Sequence, residues 1–282
     1  MTGTTDVSTA TGANIAIYDS LASESYIDEA PHLKHASLRR RYRDLTTEVL
    51  ARLTTPVEEI HVLDLGAGEC TVTLDFLERG AAVTAVDSSD RQLGHLRQRA
   101  ARFGDQLAIR CGDAFDVLES EKVAASRFDL VICNSFLHHI PDYASLVGKA
   151  IELLTGDGIF FSFQDPLRFS SLGRPVRIFA GVAYASWRIM KPDALRGLGR
   201  RARRTVGIYR DDCPQDNAEY HVVRDGVNHE QLANVLRNSG MRVQVERYFS
   251  TQSPFWQRLG ERFGIANTFA LIAQRDPAFR RA

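Results

Sequence analysis

The segment HVLDLGAGEC, residues 61–70, joins an apolar run to a pair of closely spaced glycines. The apolar residues favour a buried strand. Gly66 and Gly68 provide the conformational freedom and the close backbone approach that a sharp turn into a helix requires. This pattern is typical of a strand that turns into a helix beneath a nucleotide-like ligand.

On both sides of this segment, apolar runs alternate with helix-compatible runs. Further strands are predicted at residues 81–89, 107–114, 128–140 and 159–166, and again at 241–249 and 267–275. Near-continuous apolar strands separated by helices indicate a mostly parallel sheet covered on both faces. We therefore predict a doubly wound α/β fold with a seven-stranded sheet, in which ligands bind at the carboxyl ends of the strands.

The chain divides into five segments by composition and by the alternation of predicted strands and helices. Residues 1–14 are rich in Thr, Ser, Gly and Ala and are predicted to be disordered. Residues 15–55 are predicted to form a helical lid, residues 56–166 the ligand-binding core, and residues 167–225 a helical insertion that recognises the substrate. Residues 226–282 are expected to complete the sheet.

Composition narrows the function classes. Lys+Arg and Asp+Glu number 35 each, so the charge gives no global argument for nucleic acid or an anionic membrane. The four cysteines form no CxxC pair, and neither an apolar leader nor a membrane-spanning stretch is evident. We expect a reduced, cytoplasmic protein without a metal site.

The residues around the glycine turn distinguish between possible ligands. Thr71 stands where a dinucleotide fingerprint needs a third glycine, and no P-loop lysine follows. Asp64 suits an ammonium group, and Asp87 can accept from both hydroxyls of a ribose. Asp113 can accept from an adenine amine, with the Ala114 N–H beside it. An ammonium, a ribose and an adenine without a phosphate describe S-adenosylmethionine.

The segments VLDLGAGEC, VTAVDSS, CGDAF and FDLVICNSFLHHI resemble successive motifs of class I S-adenosylmethionine-dependent methyltransferases. The resemblance covers residues 55–165 and implies a Rossmann-like fold with S-adenosylmethionine as cofactor. It implies cofactor contacts from Asp64, Gly66, Gly68, Asp87, Ser88, Asp113, Ala114 and Asn134, and from Tyr18 in the lid. Cys70 departs from the pattern, because the family often has glycine there.

Each acidic candidate also has a structural interpretation. Asp64 could serve only as a partner for a helix N-terminus. Asp87 and Asp113 could be ordinary turn residues at the ends of strands.

The methyl acceptor is expected near the end of the fourth strand and the insertion. His138 and His139 are candidate general bases, and the resemblance leaves a structural or cofactor-packing role open for both. Because adjacent residues of an extended loop point to opposite sides, at most one should face the cofactor. Candidate substrate contacts are Tyr26, Asp165, Tyr184, Tyr209, Tyr220 and His221. The basic run at residues 187–210 favours either a solvated helix face or recognition of an anionic group.

The first hypothesis is methyl transfer to a carbon or oxygen of a small, largely apolar molecule, such as a secondary metabolite. EYHVVRDGVNH and STQSPFWQRLGERFG resemble small-molecule methyltransferases of actinobacterial secondary metabolism, some of which C-methylate prenyl groups. The alternatives are nucleic-acid methylation, using the arginines as a phosphate track, and non-catalytic S-adenosyl binding. The N-terminal helix could also mediate a homo-oligomer.

Overall fold

The fold is taken from a computed structural model. It describes residues 7–20, 30–68, 70–190, 199, 203–204, 207–210, 213–218 and 220–275.

Seven strands form one sheet in the order β3-β2-β1-β4-β5-β7-β6. The strands are β1 His61–Leu65, β2 Ala82–Asp87, β3 Leu107–Cys111, β4 Phe128–Asn134, β5 Leu154–Pro166, β6 Met241–Tyr248 and β7 Thr268–Arg275. The first five pair in parallel, whereas β7 runs antiparallel to both β5 and β6. The predicted α/β fold with a seven-stranded, mostly parallel sheet is therefore confirmed.

Helices connect the strands and cover both faces of the sheet. In chain order they are α1 Val7–Ser20, α2 Pro31–Lys34, α3 Ala36–Arg52, α4 Thr71–Glu78, α5 Asp90–Arg99, α6 Ala114–Glu119, α7 Glu121–Ala124, α8 Tyr143–Glu152, α9 Arg174–Ile189, α10 Pro214–Asn217, α11 Tyr220–Val223, α12 His229–Asn238 and α13 Pro254–Arg262. Several helices begin after a residue whose side chain accepts a hydrogen bond from a backbone N–H of the first turn. Ser89 caps α5 in this way, Asp142 caps α8 and Asn228 caps α12.

Two hydrophobic clusters, one on each face, hold the layers together. Helix α3 buries Leu38, Leu45 and Val49 in one cluster, and α8 and α12 contribute to the other. Because both faces of the sheet are buried, the sequences of the strands are nearly continuous apolar runs.

The amino-terminal prediction needs correction. Helix α1 begins at Val7, inside the segment predicted to be disordered, and residues 1–6 lie outside the described residues. The small residues Ala10 and Ala13 are buried, at 1% and 8% exposure. Small side chains let the helix lie close to the core, a tertiary effect that composition alone does not reveal.

The described parts of the predicted lid and of the predicted insertion are mostly helical. The predicted lid contains the end of α1 and helices α2 and α3, rather than one continuous helix. The insertion contains α9, α10 and α11. In the described part of the chain, no helix combines the length and apolar character needed to cross a membrane.

Candidate active site

A cavity opens at the carboxyl ends of β1–β4, beneath α1. Its empty volume is about 1070 Å³ including its open mouth. All nine positions predicted to bind the cofactor line it: Tyr18, Asp64, Gly66, Gly68, Asp87, Ser88, Asp113, Ala114 and Asn134. Eight of them lie between residues 64 and 134 and meet at one place because parallel strands share an edge of the sheet, whereas Tyr18 reaches the cavity from α1.

The turn after β1 has the positive φ angles that its two glycines led us to expect. Gly66 has φ of 76°, and a Cβ built there would lie 2.2 Å from Cδ2 of Phe136. Gly66 therefore lets the aromatic ring pack directly against the turn. Cys70 also has a left-handed conformation, with φ of 84°. Glycine is favoured in this region, which gives a physical reason for the glycine that often stands at this position.

Asp87 links the turn to the end of β2. Its Oδ2 accepts from the Gly68 N–H at 2.8 Å, and its Oδ1 accepts from the Ser89 N–H at 2.8 Å. Each carboxylate oxygen can accept more than one hydrogen bond, so these contacts orient Asp87 and leave capacity for ligand hydroxyls. Burial raises the pKa of Asp87, against the lowering effect of its backbone hydrogen bonds.

Asp64 lies at the floor of the cavity and is 1% exposed. Its Oδ2 accepts from the Thr73 hydroxyl at 2.6 Å, whereas its Oδ1 has no partner among the described residues. Burial raises the pKa of Asp64 to about 7. A buried carboxylate with one unpaired oxygen is suited to a cationic ligand group.

Asp113 both caps a helix and faces the cavity. Its Oδ1 accepts from the Phe115 N–H at 2.9 Å at the start of α6, and its Oδ2 accepts from the Thr11 hydroxyl at 2.7 Å. Ala114 is buried beside it. The structural and functional interpretations of Asp113 are therefore compatible.

Unpaired polar atoms on the side chains that line the cavity indicate whether a polar ligand would fit there. Four side chains that line the cavity each carry a buried polar atom without a partner among the described residues: His32 Nδ1, Asp64 Oδ1, Gln92 Oε1 and Asn134 Oδ1. Buried unpaired atoms each cost about 1–3 kcal/mol. Their number favours a ligand with several polar groups, and an amino acid joined to a nucleoside has them.

The two adjacent histidines have different surroundings. His139 lines the cavity, with Nδ1 3.2 Å from Asn14 Oδ1 and Nε2 3.4 Å from the Tyr18 hydroxyl. His138 lies behind the cavity wall, where Nδ1 is 2.8 Å from Asp165 Oδ1. Burial lowers the pKa of both histidines, so both imidazoles are neutral near pH 7.

Only His139 lines the cavity, in agreement with the expectation that at most one of the two faces it, but the two rings do not point to opposite sides. They occupy a 3-10 turn, Leu137–His139, rather than an extended loop. Their ring centroids are therefore only 4.1 Å apart.

The predicted substrate contacts lie outside the cavity wall where they are described. Asp165 is fully buried against His138. His221 contacts the Ile140 and Pro141 carbonyls, and Tyr143. The remaining three tyrosines pack within the insertion: Tyr184 on Trp187, and Tyr209 and Tyr220 on Arg224. Tyr26 lies outside the described residues.

In the basic run at residues 187–210, part of the positive charge of the described arginines is neutralised by an acidic residue. Arg203 and Arg204 both pair with Asp216, at 2.5 and 2.8 Å, and the Asp216 side chain is fully buried. These two arginines therefore hold the insertion together. Within the described ranges, no group of three or more His, Cys, Asp or Glu side chains is arranged to hold a metal ion.

Several cavity residues escaped the sequence argument. Helix α1 contributes Thr11, Asn14 and Ile15, helix α2 contributes His32, and α5 contributes Gln92. Thr11 and Asn14 fall in the segment that composition assigned to disorder, whereas Ile15 and His32 fall in the predicted lid and Gln92 in the predicted core.

Comparisons with known proteins agree with this geometry. Residues 63–160 match a family model described as a methyltransferase domain. A ubiquinone biosynthesis O-methyltransferase of Idiomarina loihiensis is 34% identical over 116 residues, covering 41% of this chain and 44% of that protein. The chain thus matches less than half the length of this relative.

Two solved structures share the fold. Magnesium protoporphyrin IX methyltransferase from Synechocystis with bound S-adenosylhomocysteine has a TM-score of 0.56 at 14% identity, covering 96% of this chain and 100% of that chain. An N-methyltransferase from Bradyrhizobium japonicum, also with S-adenosylhomocysteine, has a TM-score of 0.53 at 14% identity, covering 95% and 99%.

Proposed function

We propose that this chain, which belongs to the class I S-adenosylmethionine-dependent methyltransferase family, transfers the methyl group of that cofactor to a hydroxyl oxygen of a small, largely apolar molecule. The observation that carries the proposal is the convergence of Asp64, Asp87, Asp113 and Asn134 on one cavity. These side chains offer acceptors to an ammonium, a ribose and an adenine amine, as S-adenosylmethionine requires.

The strand order supports one direction for the cofactor in the cavity. Asp87 and Asp113 end β2 and β3, on one side of β1, whereas Asn134 ends β4 on the other side. In the proposed arrangement the adenosine part would bind on the β2–β3 side, and the methionyl part would lie near Asp64 and Asn134, across the Gly66 turn.

S-Adenosylmethionine supplies, when bound, a methyl group on a sulfonium that is already reactive toward nucleophiles. The task of the protein is then mainly to hold the acceptor atom in line with that methyl group and to exclude water. Ile15, Phe136 and Ile140 line the same cavity and give it apolar wall. This lining supports an acceptor with apolar surface next to its reactive atom.

Oxygen is the preferred acceptor atom because the matched relatives are O-methyltransferases. Carbon methylation of an alkene or prenyl group, and the assignment of the acceptor to secondary metabolism, stay predictions. Nucleic-acid methylation is disfavoured by the balanced charge and by the pairing of Arg203 and Arg204 with Asp216. Assembly through the N-terminal helix stays a prediction as well.

The test is methyl transfer from S-adenosylmethionine labelled in its methyl group. The full chain is incubated with a panel of small phenols, catechols and isoprenoid alcohols, and products are located by mass spectrometry. We expect a labelled methyl ether and formation of S-adenosylhomocysteine. A labelled carbon–carbon product would replace the oxygen assignment, and labelled RNA from a parallel incubation would contradict the small-molecule assignment.

A further inference from the structure

Exposed apolar side chains are concentrated on two neighbouring helices. Nine large apolar side chains are exposed in the described part of the chain, and six of them lie in α9 or α13 or directly after these helices. The six are Ile178, Val182, Ile189, Met190, Phe255 and Phe263. Single exposed apolar residues are common on protein surfaces, whereas a cluster of them indicates an interaction surface.

Helix α9 turns an apolar stripe toward solvent. Ile178, Val182 and Ile189 are spaced by four and seven residues, so they lie on one face of the helix. They are 68%, 47% and 64% exposed, whereas Ala183 on the inward side is 1% exposed. A helix on the surface of a soluble protein usually turns its apolar stripe toward the core. This stripe is therefore suited to contact with a second apolar phase.

Helix α13 lies beside α9. The Phe179 ring of α9 meets the Trp256 ring of α13 edge-on, with 5.2 Å between centroids. Phe255, next to Trp256, is 66% exposed, and with Arg258 and Arg262 it lines one shallow depression. The exposed sides of the two helices therefore border each other. We call the exposed residues of both helices, together with Met190 and Phe263, the α9–α13 face.

The charge of this region is positive. Helix α9 contains three arginines and no acid, and α13 contains two arginines and one acid, Glu261. Four of the five arginines form no salt bridge within the described residues: Arg174, Arg177, Arg258 and Arg262. Because the whole chain has equal numbers of acidic and basic residues, this excess is local. Unpaired arginines beside apolar side chains complement a partner that is both apolar and anionic.

We propose that the α9–α13 face binds the surface of an anionic lipid bilayer. In this arrangement both helices lie in the plane of the interface, with Ile178, Val182 and Phe255 among the acyl chains and the arginines at the level of the phosphates. Both helices follow strands, β5 and β6, whose carboxyl ends lie at the edge of the sheet that carries the cavity. Binding thus brings the cavity near the phase in which an apolar acceptor dissolves.

Two other occupants fit this face less well. A second copy of the chain, docked through the same face in a symmetric pair, would oppose the arginines of one copy to those of the other, since such an interface pairs a surface with itself. A nucleic acid would pair its phosphates with the arginines but leave the apolar stripe of α9 uncovered. A bilayer surface offers acyl chains and anionic headgroups at the same place.

Tryptophan fluorescence reads this contact directly, because both tryptophans of the chain lie in the two helices. Trp187 belongs to α9 and Trp256 to α13. The full chain is titrated with vesicles of equal parts phosphatidylcholine and phosphatidylglycerol, and with vesicles of phosphatidylcholine alone. We expect a blue shift with the anionic vesicles, and at least about tenfold weaker binding to the neutral ones. Equal affinity for the two kinds of vesicle, or no binding to either, overturns the proposal.

Two double variants separate the apolar contribution from the charge. Ile178→Ser combined with Ile189→Ser keeps the charge of the face and should weaken binding to the anionic vesicles by about tenfold or more, because less apolar surface enters the bilayer. Arg258→Gln combined with Arg262→Gln keeps the apolar stripe of α9 and should weaken binding by about fivefold for each arginine removed. Vesicle flotation measures both losses.

The matched control is Lys122→Gln combined with Arg127→Gln. This pair removes the same charge from exposed positions before β4, at the opposite edge of the sheet from α9 and α13. Its vesicle binding should equal that of the wild type, and a loss as large as that of the Arg258 and Arg262 variant overturns the assignment to this face. Light scattering without lipid completes the test: a wild-type dimer that the two serine substitutions dissociate would assign the face to a second copy instead.

Discussion

At the scale of single residues, the site depends on buried acids whose ionisation is costly. Asp64 is kept in the cavity floor by one hydrogen bond to Thr73, and its second oxygen is unpaired among the described residues. Burial opposes its ionisation, and the nearby Asp87 adds to this effect. A cationic ligand group beside Asp64 would favour the ionised carboxylate and so oppose both effects. Ligand binding and ionisation of Asp64 should therefore be coupled.

This coupling predicts pH-dependent cofactor affinity. The pKa of Asp64 is raised to about 7, so the free protein becomes protonated there as the pH falls, and the ammonium loses its partner. We expect the Kd for S-adenosylmethionine to rise by up to about tenfold per pH unit between pH 7 and 5.5. Calorimetry checks this. Adenosine, which lacks the ammonium, and the Asp64→Asn variant should both show a much flatter dependence; equal slopes would contradict the assignment.

The buried pair of Asp165 and His138 predicts a second pH effect, on stability. Burial raises the pKa of Asp165 to about 8 and lowers that of His138 to about 3. The native pair therefore keeps one proton from about pH 3 to about pH 8, whereas the unfolded chain loses its histidine proton near 6.5. The native state binds more protons above pH 6.5, so the free energy of unfolding falls as the pH rises toward 8.

The expected size of this fall is up to about 2 kcal/mol between pH 6.5 and 8. Asp165→Asn keeps an oxygen that can accept from His138 but cannot hold the extra proton, so this contribution should vanish. Urea denaturation of both proteins at the two pH values measures the difference. An equal fall in the variant would show that the pair does not hold the proton.

Adding a single methyl group at Gly66 should lower the stability of the fold substantially. Gly66→Ala would strain a backbone with φ of 76° and place Cβ against the Phe136 ring. We expect a loss of unfolding free energy of about 2 kcal/mol or more, since a left-handed conformation alone costs about 1–2 kcal/mol. Gly148→Ala is the control, because Gly148 lies within α8 with open space around it. It should gain about 0.5–1 kcal/mol in urea denaturation.

At the scale of elements, α1 closes one side of the cavity. Thr11, Asn14, Ile15 and Tyr18 all line it from this helix. Their contacts join the helix to the segments that follow two different strands, since Thr11 donates to Asp113 after β3, and Asn14 contacts His139 in the 3-10 turn after β4. The order of this helix should therefore control release of the bound cofactor.

Two substitutions in α1 should change release in opposite directions. Tyr18→Ala removes the contact with His139 and should speed release of S-adenosylhomocysteine several-fold. Gly12→Ala adds a better helix former where Gly12 has open space around it, and should slow release by up to about fivefold. Stopped-flow fluorescence measures both rates. If neither rate changes, α1 does not control release.

At the scale of the whole molecule, the sheet and the wall of the cavity at the carboxyl ends of its strands were predictable from sequence. Apolar runs that lead into a glycine or a polar residue recur along the chain, and in a parallel sheet they bring Gly66, Asp87, Asp113 and Asn134 to one edge. The strand periodicity and the turn chemistry are local signals. The shared edge follows from topology, so no distant contact had to be guessed.

The acceptor side could not be predicted in the same way. The first half of helix α1 has a composition typical of disorder, and in the structure the helix lines the cavity and contacts α10. His32 lies outside every motif, and its position depends on how α2 packs on Phe163. Tyr184, Tyr209 and Tyr220 were chosen for residue type, but they pack on neighbours within the insertion. Such packing depends on tertiary contacts that leave no periodic signal.

The most direct test of the central claim is calorimetric titration of S-adenosylhomocysteine into the wild type, Asp87→Ala and Asp105→Ala. Asp87 lines the cavity, whereas Asp105 is exposed and remote from it. We predict micromolar binding by the wild type and by Asp105→Ala, and binding at least about tenfold weaker for Asp87→Ala, since hydrogen bonds to a charged group contribute about 1.5–3 kcal/mol. Absence of binding by a folded wild type, or equal affinity in both variants, would contradict the assignment of this cavity to the cofactor.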